Sequence, residues 1–350
     1  MKEQCFRYEA TRQQVRPFQE MAQVHCRGYS RRLERIMVDF GADDSFAKAA
    51  EKIQEHYGLQ VPVGAVQEKT FKHAQQILQQ GVACPPLQES GPGVETVISQ
   101  SDGTMVPLVE IPAGIGDGRK RRQVLWKEAI STLAYPQGSK TPVYAATLEG
   151  REEAGCQMQQ TAWQAGLGHQ TRVHALGDGA SWIPEKVEFH FGQQAHYLID
   201  FYHLCDYLHQ AVQATSVGNK PSYLGRIKAG FKQGHGERVI QWLKPFVEPV
   251  SRPNADAPVR AALRYVDNRP GQFEYQRAIA QDLPIGSGEI ESTHRHLIQK
   301  RLKISGAWWK EKNANAMLYL RTCRANKKWN LYWNSGREKH GKLFVPHTFN

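Results

Sequence analysis

The chain has 350 residues, 40% of them hydrophobic and 23% charged, with a net charge of +11 at pH 7, the composition of a globular protein with roughly two or three domains. No apolar run approaches the ~20 residues of a membrane span, and the N-terminus lacks the apolar core of a secretion signal. The six cysteines stand at 5, 26, 84, 156, 205 and 323 with no CxxC pair, which argues against a structural zinc site or a disulfide framework and fits reduced thiols in a cytoplasmic protein.

Residues 1–28 carry no strong pattern and read as a leader. A helical period starts near Tyr29 and runs to Phe40, where Gly41-Ala-Asp-Asp reads as a break. Asp44 or Ser45 can cap a second helix, in which Phe46, Ala49, Ala50, Ile53 and Tyr57 recur at the spacing of one buried face. Gly58 ends it. A third helix over 64–80 puts Val66, Thr70, Ala74 and Ile77 on one side. Residues 29–90 are therefore expected to form an all-α, helix-turn-helix-like region whose third helix reads a DNA groove. A small helical bundle without that role gives the same pattern.

Cys84-Pro-Pro through Gly91-Pro-Gly93 marks a hinge. Beyond it the period becomes that of strands, over 94–101, 104–111 and 123–135, with 143–147 a continuation or a separate strand and 114–122 a polar turn. A helix over 149–167, strands at 172–177 and 195–199 and a helix over 204–214 follow. This order predicts an α/β domain, 91–215, with antiparallel strands first. Residues 216–283 read as a helical insertion with segments at 224–233, 237–246 and 259–267, interrupted by Pro253 and Pro258. The α/β domain is expected to resume over 284–350.

That last stretch is basic. Between His294 and Lys342 stand 13 Lys or Arg against Glu311 and Glu338 alone, the whole positive excess of the chain. Trp308, Trp309, Tyr319, Trp329, Tyr332 and Trp333 are interleaved with them. The combination suits phosphate contact and base stacking, or else a solvated basic face over core tryptophans.

Pro284–Ser305 reads as a loop that starts a helix. Gly286 and Gly288 allow a tight turn, Ser287 can cap, and Glu289 and Glu291 fall in the first turn. The helical period sets Glu291 above Arg295, Ile298 and Leu302, facing inward, and Glu289 above Thr293, His296 and Lys300, facing solvent. An inward carboxylate needs a cation or a metal, and Arg295 is one available partner. Two further acids, Asp102 in Ser101-Asp-Gly-Thr and Asp178 in Leu176-Gly-Asp-Gly, follow strands. Asp-Gly between strands is also a hairpin signal. Taken together, the three acids suit a two-metal site that holds Mg²⁺ for phosphodiester chemistry.

Asp102-Gly-Thr-Met-Val-Pro, Leu176-Gly-Asp-Gly-Ala-Ser-Trp-Ile, Ile199-Asp-Phe-Tyr-His and Ile285-Gly-Ser-Gly-Glu-Ile-Glu resemble, in order, the motifs of bacterial insertion-sequence transposases of the ISKra type, related to the Mutator superfamily. The resemblance spans roughly residues 30 to 333. It implies an RNase H-like mixed-sheet core with a helical insertion between the second and third acids. It also implies a DDE triad on Asp102, Asp178 and Glu291 that binds Mg²⁺, with Mn²⁺ able to substitute. Asp200 and His203 match a D-x-x-H element that supports the site. Arg295, Lys300, Arg301, Lys303, Arg321 and Arg324 are the expected supporting or DNA contacts. The sequence departs from its relatives in keeping only Cys5, His25 and Cys26 of a Cys-rich zinc element, so no zinc is expected, and in having Ala307-Trp308-Trp309 after Ser305-Gly306.

The implied activity is Mg²⁺-dependent cleavage of DNA at transposon ends and transfer of the 3′-hydroxyl into target DNA. The implied setting is a cytoplasmic, nucleoid-associated homodimer or higher oligomer on double-stranded DNA, with no membrane. The alternative is a catalytically silent DNA-binding protein that uses the same helices and basic surface.

Overall fold

The computed structural model describes residues 5–7, 9, 14–17, 28–81 and 91–338. Most of the 1–28 leader and the Cys84-Pro-Pro part of the hinge lie outside the described residues. A short antiparallel pair joins Phe6–Arg7 to Gln14–Val15. The rest divides into two compact units, one drawn from 1–81, 107–125 and 297–350, the other from 82–106 and 126–296.

The first unit is built on three helices, α1 (Arg31–Asp43), α2 (Phe46–Tyr57) and α3 (Val63–Gln80). Ser30 and Ser45 cap α1 and α2 by accepting from Leu33 N and Lys48 N, both at 3.3 Å. Each satisfies a backbone N–H that the first turn leaves open. Met37, Ala49, Ile53 and Val66 form the core between the helices. Gly41 does not break the chain as expected. α1 runs through it to Asp43, and a Cβ there would sit 2.2 Å from Thr70 Oγ1, so the glycine serves close approach of α1 to α3.

The C-terminal residues 297–338, expected to complete the α/β domain, belong to this helical unit instead. Two late helices, Glu311–Ala325 and Trp329–Glu338, are tied to α1 and α3. Arg31 donates to Trp333 O at 2.6 Å, and His73 bridges Tyr332 Oη (2.6 Å) and Glu34 (3.2 Å).

The second unit contains a five-stranded mixed sheet. Its strands are β1 (Thr96–Glu110), β2 (Gln123–Pro136), β3 (Val143–Thr147), β4 (Arg172–Gly177) and β5 (Ala195–Ile199), in the spatial order β3-β2-β1-β4-β5. Residues 107–110 of β1 and 123–125 of β2 are counted with the first unit. β2 and β3 pair antiparallel, whereas β1–β4 and β4–β5 are parallel. Parallel neighbours need crossovers, supplied by α4 (Arg151–Gln164) before β4 and α5 (Trp182–Phe191) before β5. α6 (Phe201–Ala214) leaves β5. The expected strands at 94–101 and 104–111 are one continuous strand, so Asp102-Gly103 is no turn. Gly103 lets the Glu128 side chain of β2 lie against the strand, where a Cβ would be 2.3 Å from Glu128 Oε1.

Residues 220–280 supply α7 (Lys220–Lys232), α8 (Gly236–Ile240), α9 (Pro258–Asp267) and α10 (Tyr275–Ala280). Their apolar faces, including Ile227, Phe231, Ile240, Val259 and Tyr275, join the sheet residues in one core. The segment therefore shares the hydrophobic core of the α/β unit. Among the described residues no helix is long and apolar enough to cross a membrane.

Candidate active site

The three parallel strands set the geometry. β1 and β4 are paired through Gln100↔Leu176. Two residues beyond that pair, Asp102 continues β1 while Asp178 follows the end of β4, near enough for its charge to act on Asp102. β4 and β5 are paired through Gly177↔Ile199, so one further residue brings Asp200 level with Asp178. Asp178 and Asp200 therefore follow the carboxyl ends of β4 and β5, the edge at which open α/β sheets bind ligands, while Asp102 lies within the longer β1.

Their environments differ. Asp102 is part-buried, and its carboxyl is pushed up to about 6, first by burial and then by the charge of Asp178. The bond from Gly103 N (2.7 Å) and the nearness of His203 only partly offset this, and Glu128 adds to it. Two carboxylates crowded together disfavour joint ionisation. Asp178 accepts from Ala180 N at 2.8 Å, which shapes the turn after β4.

Asp200 is 4% exposed and fully engaged. It caps α6 by accepting from Tyr202 N (2.5 Å) and His203 N (3.1 Å), and it takes both the backbone N–H (2.6 Å) and the hydroxyl of Ser287. It is a structural node, while His203, three residues on, is exposed.

The stretch from Pro284 is anchored to the sheet side chain by side chain. His174 Nε2 donates to Pro284 O (2.8 Å) and Phe201 N to Ile285 O (2.8 Å). Gln100 accepts from Ile290 N (3.1 Å) and donates to Glu289 (3.2 Å), and His294 reaches Asp102 through Nε2 to its carbonyl (3.2 Å) and Nδ1 to its carboxylate (3.5 Å). α11 (Gly288–Thr293) therefore lies over the face of β1 that carries Gln100 and Asp102. Ser287 holds the N-cap position without capping, because its hydroxyl is taken by Asp200.

The expected faces of this helix need correction. Ile290, Thr293 and His294 are buried and Glu291, expected inward, is exposed; Glu289 is exposed as expected and is also the acid bonded to the sheet residue Gln100. The expectation assumed an unbroken α-helical period. The helix instead passes through a π-helical turn, His294–Gln299, before Lys300–Leu302. A wider turn shifts the phase, so Leu297 and Ile298 are both buried. Glu291 precedes His294, which reaches Asp102, by three residues, about 4.5 Å along the helix axis.

Residues that the sequence did not single out hold Asp178. Tyr265 Oη donates to Asp178 O (2.8 Å), and the Arg269 guanidinium donates twice to Gly179 O (3.0 and 2.9 Å). Gly179 has φ 89°, and a Cβ there would lie 2.5 Å from Tyr265 Oη, so only glycine fits this turn. Tyr207 stacks on Tyr265 with centroids 4.0 Å apart. The helical segment thus shapes the loop carrying the second acid.

The expected DNA contacts divide. Arg295, Lys300 and Lys303 are exposed. Arg301 is buried between the rings of Phe46 and Trp309, 4.7 Å from each centroid, and donates to Gly41 O (3.1 Å). Arg321 is buried and donates to Leu297 O (2.7 Å), Ala42 O and Asp43 (2.9 Å). Arg324 pairs with Asp39 (3.0 Å) and Asp43 (2.8 Å). Arg301 and Arg321 therefore stitch helices together and present no charge to a ligand. Trp309 and Trp333 are buried, and Trp308 is exposed.

Among the described residues no three His, Cys, Asp or Glu side chains converge into a complete metal-ligand set. The pair Asp102–Asp178 still fits a hard divalent cation. Both donors are carboxylate oxygens, their crowding is relieved by positive charge between them, and Mg²⁺ commonly takes one or two carboxylates while keeping water and substrate phosphate.

A family model described as an uncharacterised protein family (UPF0236) matches residues 167–333, a span that includes Asp178, Asp200 and Glu291 but not Asp102. No curated protein matches the chain. Among solved structures, the Drosophila P element transposase strand transfer complex is similar at 6% identity, covering 92% of this chain and 84% of that chain, with a TM-score of 0.30. A likeness at that score decides nothing about the fold or the chemistry of this chain.

Proposed function

We propose that the chain is a DDE-type transposase with an RNase H-like core, cutting DNA at the ends of a mobile element and joining the freed 3′-hydroxyl to target DNA. The observation that carries this reading is the nearness of Asp102, within β1, to Asp178, just after the parallel neighbour β4. The order of the four motifs and the helical segment between the second and third acids support it.

Asp102 and Asp178 would hold Mg²⁺, or Mn²⁺ in its place, with Glu291 as the third ligand from α11. The bound ion would supply Lewis-acid activation of a water or 3′-hydroxyl and stabilise the leaving oxygen. His294 and Gln100 fix α11 over β1, so they set the approach of Glu291. Asp200 ties Ser287 to the start of α6, and Tyr265 and Arg269 hold the Asp178 turn. The working assembly is a homodimer or higher oligomer on double-stranded DNA in the cytoplasm, and no zinc is required.

The test is strand cleavage and joining on DNA carrying the element's ends, with Mg²⁺. Asp178→Ala and Glu291→Gln should each cut the rate at least roughly 100- to 1,000-fold, the scale of losing one transition-state-stabilising group. Mutants as active as wild type would sink the triad. An inert wild type on cognate ends, with DNA binding intact, would favour a silent DNA-binding protein.

A further inference from the structure

With Arg301 and Arg321 buried and Arg324 paired, much of the expected C-terminal grip on DNA is consumed by packing. A different basic element remains open in the helical unit. β1 and β2 run on to Glu110 and from Gln123, joined by a loop with a single 3₁₀ turn at Gly118–Arg121. The tip reads Gly118-Arg-Lys-Arg-Arg-Gln-Val-Leu125, four consecutive cations, with one acid, Asp117, just before them.

Arg121 is used internally, donating to Pro112 O at 2.6 Å and so folding the loop back on itself. Lys120 and Arg122 are exposed, and among the described residues neither has a carboxylate partner. Arg122 instead lies over the indole of Trp308, 3.2 Å from the ring centre. Trp308 is half exposed, at 51%. Its neighbour Trp309 faces the other way, buried against Phe46 and Phe71, and its carbonyl accepts from Val109 N at 2.8 Å. That bond and the buried ring hold the Trp308 backbone against the hairpin.

A half-exposed indole under a guanidinium offers a planar and cationic surface. Stacking fixes Arg122 and leaves the donors at its edge free for a phosphate. A free indole face accepts a nucleobase whatever its identity. Exposed Val124, Leu125 and Ile115 are the features that would instead suit a second protein chain, but four cations against the single acid Asp117 would repel a second copy of the same tip.

We propose that the tip Gly118–Leu125 and Trp308 form a nucleic-acid contact, with Lys120 and Arg122 on phosphates and Trp308 stacked on an unpaired base. The choice of nucleic acid as partner rests on the transposase function proposed for the chain.

The test is fluorescence anisotropy of the full chain with a labelled 30-nucleotide single strand and the matching duplex, across a salt series. Lys120→Gln with Arg122→Gln should flatten the slope of log K against log salt by about 1.4 on the single strand, the effect of losing two phosphate contacts. Trp308→Ala should keep the slope and weaken single-strand binding roughly tenfold, with Trp308→Phe recovering most of it. Melting temperatures of these surface variants should stay near that of wild type. Unchanged affinity and slope in the variants would overturn the proposal. So would equal loss on single strand and duplex for Trp308→Ala. A dimer that becomes monomeric in Val124→Ser with Leu125→Ser, while DNA affinity stays at the wild-type value in the Lys120, Arg122 and Trp308 variants, would assign the tip to a second copy instead. Binding is read without catalysis: failed cleavage by wild type sinks the transposase reading alone, and intact binding by the variants sinks the hairpin contact alone.

Discussion

In the helical unit, Arg321 is 6% exposed yet donates to two carbonyls and to Asp43, and Glu34 is held between Lys69 (3.0 Å) and His73 (3.2 Å). In the sheet unit, Asp102 stands beside another carboxylate and is pushed up to about 6. Burial opposes charge in both places. In the first, partners outweigh it: burial pushes Glu34 up, but His73 and Lys69 bring it down to about 2. In the second, the neighbouring charge adds to it. Charge that packing satisfies belongs to the fold, whereas charge that packing leaves in conflict is available to bind something.

The contrast can be broken at its strongest points first. Arg321→Ala should destabilise the chain by about 3–5 kcal/mol, the scale of breaking a buried pair, measured by chemical denaturation. Asp102→Asn should do the reverse without metal. The folded pKa of Asp102 lies above its unfolded value, so the folded state holds the proton more tightly. Stability should therefore fall as pH rises from about 4 through 6, by at most about 3 kcal/mol, and Asp102→Asn should remove that fall.

Glu34 has the opposite sign. Its folded pKa is depressed, so its contribution is present above about pH 4.5 and lost as pH falls towards 2. Glu34→Gln should cost about 2 kcal/mol at pH 7 and flatten the acid limb of the stability curve. The smallest effect expected is from Arg269→Lys. A single ammonium cannot reproduce the double donation to Gly179 O, so the rate of DNA cleavage should drop roughly tenfold, as for a residue that orients a metal ligand, with little change in melting temperature.

How much of this could be read from the sequence depends on how local the cause is. α1 to α3 were legible to within a few residues because Ser30, Ser45 and Gly58 act on the turns next to them. The strands were legible from period and breakers, except at Asp102-Gly103. There the pairing with β2 and the Glu128 side chain decide for a continuous strand, and no rule about Asp-Gly contains them. The nearness of Asp102 to Asp178 emerges only when β1 and β4 pair. Arg301 and Arg321 were misread as ligand contacts because what buries them, Gly41, Phe46 and Asp43, lies more than 250 positions away in the chain. Gln100, Tyr265 and Arg269 carry no local motif, and only the fold brings them to the acids. The facing of Glu291 failed for a different reason, since one π-helical turn resets the period on which the reading relied.

The central claim is that the crowded acids Asp102, within β1, and Asp178, after β4, are a divalent-metal centre, and it can be tested without knowing any DNA sequence. Titrating Mn²⁺ into the full chain at pH 7.5 while following the melting temperature should raise it for wild type, since a ligand that binds only the folded state stabilises it. The same titration should leave Asp178→Asn unmoved. A rise of equal size in both proteins, or none in wild type, would contradict the account.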